Sequence, residues 1–239
     1  MKLKYVVVLL LIVGLIMLDV EPALAGPGGA IAKGLFKTWW GKLIMAVVTI
    51  VLLPLILYIK FKEYFTVRAN KKVLNQLGKR NRDFTWLTLN KSVKNAFTRV
   101  YIAWAKEDLQ EVSEYMSSWY WQNQQKVYLD DWKSRNLINV SRLKSLSSIK
   151  PLYLDIADEE NFEGSRIAFL ITADVEDYLM HRETKKVVEG RRGYDEEEKI
   201  WIMEYNEGKW LVDDIQEGSM SLAFARTKND IPKTVLSGI

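Results

Sequence analysis

"IAFLITADVE", Ile167 to Glu176, is the stretch whose reading decides the fold. Ile167, Phe169, Ile171, Ala173 and Val175 alternate with Ala168, Leu170, Thr172, Asp174 and Glu176, a period of two that predicts a long, twisted strand with one strongly apolar face. Downstream, a second strand is expected near Lys199 to Tyr205, a turn at Asn206-Glu207-Gly208, and a returning strand from Trp210 to Ile215, which together read as an antiparallel hairpin. Upstream of Asn136 the period is helical. Val93, Phe97, Val100, Tyr101 and Trp104 recur at spacings of three and four to make one apolar stripe. A second short helix is expected to end at Met116, and a third to run from an N-cap at Ser118 through Trp132. Helices first and strands afterwards predict an α+β domain, N-terminal helices packed on a curved antiparallel sheet.

The first sixty residues are of another kind. Lys2 and Lys4 precede an apolar run from Tyr5 to Leu18, and Ala23-Leu24-Ala25 is a small-x-small cleavage site, so residues 1–25 read as a signal peptide or, uncleaved, as a first membrane helix. A Gly-rich and aromatic interfacial segment, 26–42, follows. Leu43 to Ile59 is seventeen residues without a charge, the short end of what spans a bilayer. Trp39 and Trp40 on one side and Tyr58 on the other fit interfacial aromatic belts, and Lys42 and Lys60 have stems long enough to snorkel outward. From Lys60 to Lys106 there are twelve Lys/Arg against two Asp/Glu, whereas from Tyr153 to Glu217 there are eight against nineteen. The overall charge of +4 thus divides into a basic collar and an acidic body, and gives no reason to expect a nucleic-acid partner. Eight Lys/Arg between Lys60 and Arg82, against three between Gly26 and Lys42, place residue 60 onward in the cytoplasm by the positive-inside rule, which predicts an inner-membrane protein with a cytoplasmic C-terminal domain. Lys71, Lys72, Lys79 and Arg80 of the collar, 60–89, are expected to lie against anionic lipid.

Four stretches in order, "AFTRVYIAWAKEDLQEVSEYMS", "NLINV", "DVEDYLMHRETKKVVEG" and "KIWIMEYNEGKWLVDDIQ", resemble the Tim forty-four-like domain family over residues 91 to 216. Ala103-Trp104, Asp108, Asp177-Tyr178, Gly190, Trp201 and the strand from Trp210 to Ile215 match its pattern, and the acidic run Asp195 to Glu198 departs from it. The namesake anchors the protein-import motor at the mitochondrial inner membrane. The resemblance implies a cone similar to nuclear transport factor two, a bent sheet wrapping helices around a hydrophobic cleft, with the domain at 90–217 and a C-terminal tail at 218–239. It implies no catalytic residue.

The residues themselves offer little chemistry. There is no cysteine, hence no disulfide, thiolate ligand or cysteine nucleophile, and His181 is the only histidine, so a two-histidine metal site is excluded. Asp174, Glu176 and Asp177 could place one carboxylate in an apolar cleft, as an isomerase or dehydratase would need, but they read more simply as a solvated face. Asp195 to Glu198 reads as a solvated turn. The expectation is a non-catalytic, membrane-anchored binding or scaffold module without a cofactor, whose cleft takes a hydrophobic peptide, a lipid chain or a protein partner. Phe97, Tyr101, Trp104, Phe169, Ile171 and Trp201 are the candidate walls.

Overall fold

The computed structural model describes residues 39–237, so the expected signal segment and the Gly-rich stretch after it lie outside the described residues. The chain divides into two units, Met1–Phe61 and Lys62–Ile239.

The described part of the first unit is the beginning of α1 (Trp39–Leu77). Its most apolar stretch has a mean hydropathy of 2.5 with no residue buried, and the helix is long and apolar enough to cross a membrane. Pro54 lies inside it, lacking the N–H that the preceding turn would accept. Trp39 and Trp40 are exposed, their rings edge to face at 4.7 Å, and Tyr58 is exposed as well. The helix does not stop at Ile59. It continues through most of the collar to Leu77.

The second unit is a five-stranded antiparallel sheet with helices on it. β1 (Leu137–Asp155), β2 (Arg166–His181), β4 (Asp195–Asn206) and β5 (Lys209–Glu217) lie in that order, and β3 (Val187–Gly190) pairs with the end of β2. β1 follows β2 with three register shifts, each adding local twist and bend. β4 and β5 meet in a two-residue loop, Glu207-Gly208, with φ of +50° and +74° at the two positions, the left-handed pair that matches strand twist. Glu163 closes this turn by accepting hydrogen bonds from the Glu207 and Gly208 N–H groups at 2.8 and 3.1 Å.

α2 (Trp86–Ala105) packs on one face of the sheet through Leu89, Val93, Ala96, Phe97, Val100 and Ala103. Ile167, Phe169, Ile171, Ala173 and Val175 are buried beneath it in the main core. A 3₁₀ segment, Leu109–Tyr115, then leads to α3 (Ser118–Gln124), a π turn (Gln125–Asp130) and α4 (Asp131–Ser134). The expected third helix is therefore broken by a wider turn, and its N-cap is Ser117, one residue before the expected Ser118.

The other face of β2 is covered as well. Ala168 and Leu170 are also buried, with Leu152, Ile200 and Ala225, so β2 is apolar on both sides rather than one. The cover comes from segments read as collar and tail. α1 contributes Val67 and α5 (Ser221–Arg226) contributes Ala225 and Phe224 to this second cluster. Polar side chains pin them: Asn70 Nδ2 donates to Pro151 O at 3.1 Å, Asn229 Nδ2 to Asn70 Oδ1 at 2.7 Å, Thr66 Oγ1 to Ala225 O at 3.1 Å, and Ser221 Oγ to Glu63 Oε1 at 2.9 Å. Leu74, Leu77 and Phe84 are fully buried in the main core, which therefore begins well before residue 90, and Val235 of α6 (Lys233–Ser237) extends it to the far end. Of the lipid-facing candidates, Lys72, Lys79 and Arg80 are exposed, but Lys71 stands 4.3 Å over the Trp86 ring and Arg80 4.8 Å over Phe162. Gly78 lets the chain turn between α1 and α2, since a Cβ there would lie 2.3 Å from the Thr85 methyl.

Removing a fully buried leucine removes its contacts and leaves a cavity, so Leu74→Ala should cost about 2–5 kcal/mol in chemical denaturation of a fragment starting at Lys62. A fragment starting at residue 83 should melt lower than one starting at 62. Equal melting of the two fragments would show that the collar is not part of the core.

Candidate functional site

Between the main sheet face and the helices lies a cavity of about 240 Å³. α2 brings Val100, Tyr101 and Trp104; β4 brings Glu197, Lys199 and Trp201; and β1 and β2 bring Asn139, Ser141 and Asp177. The segment from α3 to α4 completes it with Tyr120, Tyr128 and Trp132. Pleating places these strand residues together. Ala173 pairs with Glu197, Ile171 with Lys199, Phe169 with Trp201, and Ser141 with Asp177, and residues opposite one another share a face.

Of the expected wall residues, Tyr101, Trp104 and Trp201 line the cavity. Phe97 stands behind them, 4.7 Å from Tyr101 and 4.8 Å from Trp201, ring centroid to centroid, while Phe169 and Ile171 are fully buried in the core. The residues that sequence reading did not assign to the site are Tyr120, Tyr128, Trp132 and the polar groups. Tyr128 and Trp132 are four apart in a helical segment, and that spacing alone could have paired them with Trp104.

The polar groups are held in a chain. Trp104 Nε1–H donates to Asn139 Oδ1 at 3.0 Å, and Asn139 Nδ2 donates to Asp177 Oδ1 at 2.7 Å. An indole can only donate and a carboxylate only accept, so the two partners fix the orientation of the Asn139 amide. Lys199 reaches over to Glu217, 2.9 and 3.1 Å from its two carboxylate oxygens. Glu197 has no such support: among the described residues, no side chain donates a hydrogen bond to it. Desolvation pushes its pKa up, Lys199 opposes that, and the negative charges of Asp177, Glu217 and Asp195 add to it. Burial, with Glu197 and Asp177 nearby, drives the Tyr101 hydroxyl well above its ordinary range, and it stays protonated.

The carboxylates considered from sequence have different fates. Asp174 accepts from Ser145 Oγ at 3.0 Å and pairs with Lys144 at 3.6 Å, away from the cavity. Glu176 is buried rather than solvated, accepting from Arg142 at 3.1 Å and from the Gly193 N–H at 2.8 Å. Asp177, on the opposite pleat, is the one that lines the cavity. The run Asp195 to Glu198 is not a turn but the start of β4, paired with Thr172 to Val175 of β2. His181 is exposed at the end of β2. Among the described residues, no three His, Asp or Glu side chains converge as a metal-binding group would.

No family model and no curated protein matches the chain. Among solved structures, the crystal structure of the intermembrane space region of chloroplast protein ARC6 aligns over 53% of this chain and 94% of that one, at 7% identity and a TM-score of 0.38. A likeness of that size carries nothing about the site, whose chemistry rests on its own residues.

The raised pKa of Glu197 has a definite consequence for stability. A carboxyl that ionises less readily in the folded protein contributes stability when protonated, and that contribution is lost as pH rises through its folded pKa. Glu197→Gln should therefore raise the melting temperature at pH 7 to 8. The advantage should close as pH falls below about 4.3, the ordinary glutamate value. A variant that melts lower than wild type at neutral pH would contradict this account.

Proposed function

We propose that this chain is a membrane-anchored, non-catalytic binding module of the Tim forty-four-like kind. α1 holds it in the inner membrane, and its cone-like domain works in the cytoplasm. The charge asymmetry about the apolar part of α1 supports that orientation, with eight Lys/Arg after it and three before it. The observation that carries the binding reading is the aromatic cavity. At about 240 Å³ it is smaller than the roughly 300–1,000 Å³ of clefts that take drug-sized ligands, so it suits a small molecule or one inserted side chain of a protein partner better than a lipid chain. Its walls keep a fixed shape, since the Trp104, Asn139 and Asp177 chain locks rotamers on three elements.

One observation favours a second reading. Glu197, held partly out of water with a raised pKa, shares the cavity with the protonated Tyr101 hydroxyl, and that pairing of a carboxyl with a donor is what proton abstraction beside a carbonyl requires. An isomerase or dehydratase would use Glu197 as base and Tyr101 as donor.

Two measurements test these readings. A C-terminal tag should survive protease added to intact spheroplasts, and its digestion there while cytoplasmic controls survive would reverse the orientation. The tryptophan fluorescence of the full chain in detergent should respond saturably to a ligand from a small-molecule panel, while Ser141→Leu, which puts bulk into the cavity, should not respond. A ligand recovered unchanged supports binding. Turnover that Glu197→Gln abolishes would favour the enzyme, and a panel that never perturbs wild type would overturn both uses of the cavity.

A further inference from the structure

The cavity has a charge and a surface that together select a ligand class. Trp104, Tyr128 and Trp132 form a triangle, with ring centroids 6.5 Å apart for Trp104 and Tyr128, 6.3 Å for Trp104 and Trp132, and 5.6 Å for Tyr128 and Trp132. Their planes are inclined at 46°, 77° and 55°, so the three rings offer differently directed faces and edges rather than one stack. Cations of this chain do sit over other rings, Lys71 over Trp86, Arg80 over Phe162, Lys144 over Tyr194 and Arg192 over Tyr178. Among the described residues, none sits over this triangle.

The lining carries two carboxylates, Asp177 and Glu197, and one cation, Lys199, whose charge is already answered by Glu217. An anionic ligand would meet net repulsion here. A neutral apolar ligand would bring no donor to Glu197 and no charge to balance either carboxylate. A cation would be attracted by both carboxylates and by the negative ring faces.

The aromatic part of the lining narrows the choice further. A primary ammonium turns no methyl group to the rings, although Glu197 and the Asp177 oxygen that Asn139 leaves free could accept from its three N–H donors. An alkylated ammonium has few or none, and it presents methyl groups to the ring faces.

Resting on the reading of the chain as a binding module, we propose that this cavity is a receptor for a small alkylated ammonium group, seated against the cavity side of the Trp104, Tyr128 and Trp132 rings and balanced by Asp177 and Glu197. Such a group reaches the cavity either as a free choline-like molecule or on a methylated lysine side chain. Glu197 then acts as a binding carboxylate, held partly out of water and compensated by the cation.

Calorimetric titration of the full chain tests this, in dodecyl maltoside, which carries no ammonium group. The probes are choline, the N-acetyl amide of trimethyllysine, and 3,3-dimethylbutan-1-ol, the neutral isostere of choline. At least one of the two cations should bind about tenfold or more tightly than the neutral alcohol, and the tighter of the two identifies the source. Tyr128→Leu changes an exposed ring, and Glu197→Gln is expected to leave a stable fold. Each should weaken cation binding by about tenfold while the melting curve stays cooperative. Equal affinity for choline and its isostere, or cation binding unchanged in both variants, would overturn the proposal. If the alcohol binds and neither cation does, the binding reading stands and this inference alone fails.

Discussion

Seven consecutive residues of β2, Ile167 to Ala173, are buried, and a strand with that property needs cover on both faces. A strand interior cannot satisfy this by itself. α2 covers one side through Phe97 and its neighbours, while the α1 residues after Lys62, together with α5, cover the other. Each covering segment brings its own polar anchor. Asn70, bonded at once to Pro151 O and to Asn229, ties a helix to a strand and to the chain's far end, and it does so where an unpaired amide would cost about 1–3 kcal/mol. The same strand supplies the floor of the cavity, because its pleat carries on from Phe169 and Val175 to Asp177 as the apolar cover thins.

The cavity shows the opposite economy. Its aromatic walls are well packed, yet Glu197 stands among them near other negative charge and, among the described residues, with no side-chain donor. Packing alone gives no reason to keep a carboxylate there, and natural sites often retain such destabilising groups where a ligand will use them. The neighbouring Asp177 is treated differently, with Asn139 oriented to meet it and Trp104 oriented to meet Asn139. One acid is thus built into the wall by hydrogen bonds and the other is not.

Much of the front face was legible in advance. The period of two in Ile167 to Val175 and the stripe of Phe97, Val100 and Trp104 are strong periodic features, and they place a helix on a sheet. The back face was harder to read. Ala168 and Leu170 are followed at the same parity by Thr172, Asp174 and Glu176, so the alternation looked one-sided although its first half is apolar throughout. In the collar, the lysines and arginines of an amphipathic helix mask Leu74 and Leu77, and buried Glu63 and Asn70 resemble solvent-facing residues until their partners are known. Four successive acids at Asp195 to Glu198 resemble a turn because such residues are depleted in strands. They pair with β2 instead, which turns every second one inward and brings Glu197 to the cavity.

The π turn at Gln125–Asp130 sets how Tyr128 and Trp132 meet Trp104. A π turn holds one residue more than the α turn it replaces, and each residue of helix advances the side chains by roughly 100°. Losing a single codon in this segment would change the rotation between the residues before the turn and those after it, and so how Tyr128 and Trp132 are turned toward Trp104, while leaving the pairing of β1 to β5 in register. The aromatic half of the cavity is therefore sensitive to chain length and the charged half to residue identity, so a lineage could reshape one without disturbing the other.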